Sequence, residues 1–94
     1  MYYVISRHKV NDYQAWKKVF DNALSFRKAG GEKSYQIFQA ENDKNNLLMI
    51  FEWDSLKNAR KFFESSDLQK AMQQAGVLEK PDVYFLEELD RGTL

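Results

Sequence analysis

His8 is the only histidine in this sequence, and its setting suggests proton chemistry. It falls on an apolar strand pattern, on the face shared by Val4, Ser6 and Val10. Ser6 and His8 form the polar part of that face, as a cavity lining would. An imidazole titrates near neutral pH, which suits a general base. Asp82 or Tyr84, on the neighbouring strand, is placed to orient the ring. The plainer reading is a hydrogen-bonded structural or surface histidine. One histidine and no cysteine make a poor zinc site, since three or four ligands are usual. A lone axial haem ligand is conceivable, but no other feature favours haem.

Arg27 is the second candidate. On a helical wheel, Gln14, Lys17, Lys18, Asp21, Ser25 and Lys28 form the polar arc of the first helix. The apolar remainder spans about half the circle, wider than the usual stripe of roughly 100°. Arg27 falls near the middle of that apolar arc. An inward arginine needs a partner, because an unpaired buried charge is costly. The partner expected from topology is Glu87 or Glu88, helped by the helix C-terminal dipole, with snorkelling to the rim as the other plain outcome. The functional outcome is a clamp for an anion or enolate at a pocket mouth. Around these groups, Trp16, Tyr35, Phe51, Trp53 and Tyr84, with Met49 and Met72, are the residues to line a pocket for a flat organic molecule. Core and dimer packing would use the same residues.

The elements that position them read strand, helix, strand, strand, helix, strand. Strand one covers about Tyr2 to Val10. Asn11 or Asp12 caps helix one, which runs to about Ala29 and stops at Gly30-Gly31. Strand two covers about Lys33 to Ala40, and the polar run Glu41 to Asn46 is a hairpin loop. Strand three follows to Asp54. Asp54 or Ser55 caps helix two, which breaks near Ser65-Ser66-Asp67, restarts with Ser66 as cap, and ends at Gly76. Asp82 to Leu89 is strand four. This is a split βαβ arrangement, an α+β ferredoxin-like βαββαβ domain over residues 1–94. Right-handed crossovers give a four-stranded antiparallel sheet in the order four-one-three-two. In strand three, Leu47, Met49, Phe51 and Trp53 line one face, while Leu48 and Ile50 line the other. Helices cover only one face. The second face therefore predicts a homodimer packed sheet to sheet.

Composition narrows the function. A single domain of 94 residues buries only about 60–65% of its unfolded surface, so dimer formation would help it. Lys+Arg and Asp+Glu are both 14, which argues against a nucleic-acid partner. There is no signal-peptide pattern and no run near the roughly 20 apolar residues of a membrane span, so the expected setting is cytoplasmic, without a membrane partner. GxGxxG, Walker, GxSxG and HExxH motifs are absent, and the expectation is a protein without metal or cofactor.

Several runs nevertheless resemble a known family. Val10-Asn11-Asp12-Tyr13-Gln14-Ala15-Trp16 resembles the V-x-D-Y-x-x-W start of helix one in small dimeric α/β-barrel proteins. So do Phe51-Glu52-Trp53-Asp54-Ser55 with Ala59 and Phe62, and Ala75-Gly76-Val77 leading through Pro81 to Tyr84-Phe85-Leu86-Glu87. The chain is similar to the antibiotic-biosynthesis-monooxygenase-like superfamily over about residues 2–89. That resemblance implies the fold, the dimer and a range of chemistries. They include cofactor-free monooxygenation of aromatic substrates, haem degradation and muconolactone-type isomerisation. Haem-degrading members place a histidine on a helix, which the strand position of His8 does not match. The implied enzyme acts on an aromatic or enolisable substrate, of quinol or anthrone type. Arg27 would stabilise an oxyanion, His8 or Tyr35 would move a proton, and Trp16 and Trp53 would shape the pocket. The alternatives are a dimer that binds a small hydrophobic ligand without changing it, and an accessory dimer whose own aromatics fill the space.

Overall fold

The computed structural model describes residues 1–78 and 80–94. The elements are β1 (Tyr2–Lys9), α1 (Tyr13–Asn22), α2 (Leu24–Gly30), β2 (Glu32–Ala40), β3 (Asp43–Trp53), α3 (Leu56–Phe63), α4 (Ser66–Gln74) and β4 (Asp82–Glu87). The sheet order is β2-β3-β1-β4 with every neighbouring pair antiparallel, as expected for the ferredoxin-like arrangement.

Pleating sorts each strand by face. In β1 and β3, Val4 lies opposite Phe51, Ser6 opposite Met49 and His8 opposite Leu47, and all six are buried. In β4, Val83 and Phe85 lie opposite Ser6 and Val4 and share their face. The four helices cover this side. Trp53, Leu47, Met49, Val4 and Val10 are its largest fully buried side chains. Burying an aliphatic or Met side chain of this kind contributes about 1.5–3 kcal/mol. The other face carries Ile5, Leu48, Ile50, Phe38, Tyr84 and Leu86, and Phe38 and Tyr84 are 47% and 58% exposed.

Local chemistry fixes the helix starts. The side chain of Asp12 accepts from Ala15 N at 3.1 Å, that of Ser55 from Asn58 N at 3.1 Å and that of Ser65 from Leu68 N at 3.2 Å, each satisfying an otherwise free first-turn donor. Asp12 rather than Asn11 is therefore the first cap, and Ser65 rather than Ser66 the last. The first helix is interrupted at Ala23, whose N–H is shared between the carbonyls of Val19 (3.1 Å) and Phe20 (3.3 Å). The expected six-residue hairpin loop is a turn at Glu41 and Asn42 only. Ala40 pairs with Asp43, and Asn46 pairs with Lys9, so polar residues at the strand end are drawn into the ladder. β4 ends at Glu87, two residues earlier than its apolar pattern.

One turn matters for the site. Gly31 has φ 120°, and an added Cβ there would collide with the Asp54 carboxylate. Asp54 N donates to Gly31 O at 3.0 Å. Only glycine allows both the positive φ and this close approach. The tight return places Glu32 directly after α2, back beneath Arg27.

Candidate functional site

Between sheet and helices lies a cavity of about 110 Å³. Its apolar walls include Phe51, Met49, Phe62, Phe63 and Met72, and its polar groups are Ser6, His8, Arg27 and Glu32. A cavity of roughly 150 Å³ holds benzene, so a single ring is the largest flat group this space admits with slight expansion. Drug-sized ligands occupy about 300–1,000 Å³. A three-ring anthrone-type substrate, expected from the resemblance, is therefore too large for the cavity as it stands. A wider open depression adjoins it, lined by Gln69, Gln73 and Lys80 and sharing Phe63, Met72, Pro81 and Val83. This depression lies on the β4 side, where Val83 belongs to both it and the cavity. Glu32 starts the opposite edge strand, three strand spacings or about 14 Å across the sheet.

Arg27 sits in the last turn of α2 and is 5% exposed. Its guanidinium carbon lies 3.6 Å from the centre of the Phe20 ring and 5.0 Å from that of Tyr35. Such stacking suits the planar, weakly hydrated guanidinium. Its ion-pair partner is Glu32, with Nη1 to Oε2 at 3.4 Å. Glu87 and Glu88, the partners expected from the sequence, do not fill this role. Among the described residues, Arg27 Nε and Nη1 and Glu32 Oε1 are buried without a hydrogen-bond partner. Burial outweighs the attraction of Arg27 and pushes the Glu32 carboxyl up to about 7. Burial likewise lowers Arg27, against the pull of Glu32. Glu32 was not singled out in the sequence. The signal was its place after Gly30-Gly31, five residues from an inward arginine.

His8 is buried, and among the described residues neither ring nitrogen has a hydrogen-bond partner. Desolvation lowers it to about 4, so it is neutral at physiological pH. It meets Trp16 edge to face at 5.6 Å, and Trp16 stacks on Phe20 at 4.9 Å. A continuous ladder of His8, Trp16, Phe20 and Arg27 thus forms one wall. Asp82 and Tyr84 do not orient the imidazole: both lie on the far face of the sheet, where Asp82 pairs with Arg7 at 3.3 Å.

The structure therefore brings His8, Arg27, Trp16, Phe51 and Met72 to one cavity. Tyr35 is not among the residues that line it: it is 40% exposed and edge-on to Phe20 at 5.0 Å. Trp53 packs behind it against Phe62 at 5.1 Å, as core. Tyr84 is excluded from it, because a residue next to Val83 and Phe85 must point the other way. Among the described residues, no group of three or more His, Cys, Asp or Glu stands close enough to hold a metal ion. No helix among them is long and apolar enough to cross a membrane.

No family model and no curated protein matches the sequence. Solved structures do match the fold. SnoaB, a cofactor-independent oxygenase from Streptomyces nogalater, is 14% identical, with 99% of this chain and 95% of that one covered at a TM-score of 0.70. An antibiotic biosynthesis monooxygenase candidate from Bordetella bronchiseptica is 14% identical over 94% of this chain and 96% of that one, at 0.76. Rv0793 from Mycobacterium tuberculosis is 17% identical over 98% of each, at 0.67. The chain has the antibiotic-biosynthesis-monooxygenase fold. At such identities the likeness carries the fold, and chemistry must be argued from the cavity.

The two poles have opposite pH dependence. His8 titrates lower in the folded chain than its ordinary 6.5, so its contribution is complete above about 6.5 and is lost as pH falls to about 4. Glu32 titrates higher than its ordinary 4.5, so its contribution is complete below about 4.5 and is lost as pH rises through about 7. The wild type then shows a shallow dependence in the shared window. E32Q gains stability as pH rises across it, and H8Q loses stability. Urea midpoints for the three proteins at a series of pH values measure this, and equal slopes in all three would refute the assignment.

Proposed function

We propose that this chain is a small-molecule enzyme acting without metal or cofactor on a single-ring aromatic or enolisable compound, as a monooxygenase or a related activity. The observation that carries the reading is the aromatic-walled cavity with unpartnered polar atoms of Arg27 and Glu32 at one pole. Pockets of this kind orient a ligand by a few polar groups while apolar walls exclude water. A guanidinium in such a setting stabilises developing negative charge far better than it would in water. The printed description of SnoaB as a cofactor-independent oxygenase supports the reaction class. The depressed basicity of His8 favours a second reading, a protein that binds such a ligand and returns it unchanged.

A ligand that binds only the folded state raises the melting temperature. Single-ring phenols and enols are expected to raise it, three-ring quinols to leave it unmoved, and R27M to lose most of the shift. Oxygen uptake with the stabilising class supports the enzyme; ligand recovered intact without uptake supports the binder. No shift with any single-ring compound removes both readings.

The proposal includes a homodimer formed through the uncovered sheet face of Ile5, Leu48, Ile50, Phe38, Tyr84 and Leu86. An apolar sheet face of this extent is unusual on a monomer. Light scattering at micromolar concentration should give twice the mass of 11.1 kDa, and I50K should give the monomer mass. A wild type of monomer mass would overturn this part.

A further inference from the structure

We infer that Glu32 is the base of this site: a phenol or enol hydroxyl binds between Glu32 Oε1 and the Arg27 guanidinium and gives its proton to Glu32. The inference deepens the reading of the cavity as a site for aromatic or enolisable compounds and rests on it. The O–H bond of the ligand breaks and an O–H bond to Glu32 forms. The electron pair stays on the ligand oxygen as phenolate or enolate, held by Arg27. No oxidant takes part in this step.

Geometry and charge both favour Glu32 over the other candidates. Among the described residues, Glu32 Oε1 is an acceptor and Arg27 Nε a donor without a hydrogen bond, and the 3.4 Å contact of Nη1 with Oε2 holds the two side chains together where they line the cavity. A hydroxyl needs that combination: it donates to the carboxylate and accepts from the guanidinium. One buried cation can compensate one buried anion. When the proton passes to Glu32, the anion moves from carboxylate to ligand and the site keeps zero net charge. Transfer to His8 would instead create an imidazolium away from the ion pair, and leave the ligand anion sharing Arg27 with an ionised Glu32. Two added charges in an apolar cavity are far more costly than one relocated charge. Tyr35 is 40% exposed and is not among the residues that line the cavity, so it is not placed to be the base. The Glu32 carboxyl, raised by burial to about 7, is also well matched to a base working near neutrality.

The test uses 4-hydroxyacetophenone, whose phenolate absorbs beyond the aromatic bands of the protein and whose free form at neutral pH is chiefly the phenol. Difference spectra of the bound probe on the wild type are expected to show the phenolate band enriched several-fold over the free probe. In E32Q the lone Arg27 cation should still draw the phenolate, but the proton the probe gives up must then pass to solvent. A wild type that binds the probe only as phenol overturns the inference while leaving the cavity reading intact. Failure of this probe and of the other single-ring compounds to bind overturns both. A wild-type measurement covers the case in which E32Q does not fold. Glu32 takes up the ligand proton wherever it is ionised. At a pH slightly above its midpoint, the heat of binding should therefore differ less between phosphate and Tris in the wild type than in E32Q. Equal buffer dependence in the two proteins would contradict it.

Discussion

A guanidinium held between aromatic rings and a single carboxylate is the constraint around which this cavity is organised. Taking Arg27 and Glu32 out of water costs several kcal/mol for each ion, and their attraction repays that only with good geometry and further hydrogen bonds. Here the contact is 3.4 Å, and polar atoms of both partners lack hydrogen bonds among the described residues. Such a pair adds little net stability compared with apolar residues of the same volume. Removing one partner alone, in contrast, costs about 3–5 kcal/mol, because it strands the other charge. The pair is thus a poor way to hold a fold together and a suitable way to hold a ligand oxygen.

The remaining structure supports that arrangement. The left-handed turn at Gly31 brings β2 back so that Glu32 meets Arg27. Trp53 and Phe62 fill the space behind Gly30, whose Cα leaves only 3.0 Å between an added Cβ and the Phe62 ring. Trp16 and Phe20, one turn apart on α1, stack into a wall that leads from His8 to the guanidinium. α4 contributes Leu68, Ala71 and Met72 to the cavity but buries none of its residues fully, so it closes the site without anchoring the core. A small domain has little stability in reserve, and this one places part of its aromatic content around a partly filled space.

Much of this was legible in the sequence. Period-two apolarity in Leu47 to Trp53 and the glycine and serine punctuation gave the element order, and handedness gave the sheet order. Arg27 stood out because a charge in the middle of an apolar arc must have a reason. Three things were not legible, each for a physical reason. Both faces of β1 and β4 are apolar, so the sequence alone leaves Tyr84 eligible for the pocket, although Val83 and Phe85 occupy that side. The partner of Arg27 depends on the exact path of the Gly30-Gly31 turn, which composition does not specify. Trp53 reads equally well as pocket or core until the packing of Phe62 and Phe63 against it is seen.

The most direct test of the central claim is a carbon-13 NMR titration of the Glu32 side-chain carboxyl in the folded, ligand-free protein, assigned with E32Q. A carboxylate desolvated beside one cation should titrate with a midpoint near 7. A midpoint at the ordinary glutamate value of 4.5 would contradict the account, because it would mean that water or further hydrogen bonds reach the pair and that the site is not the dry, poised pole described here.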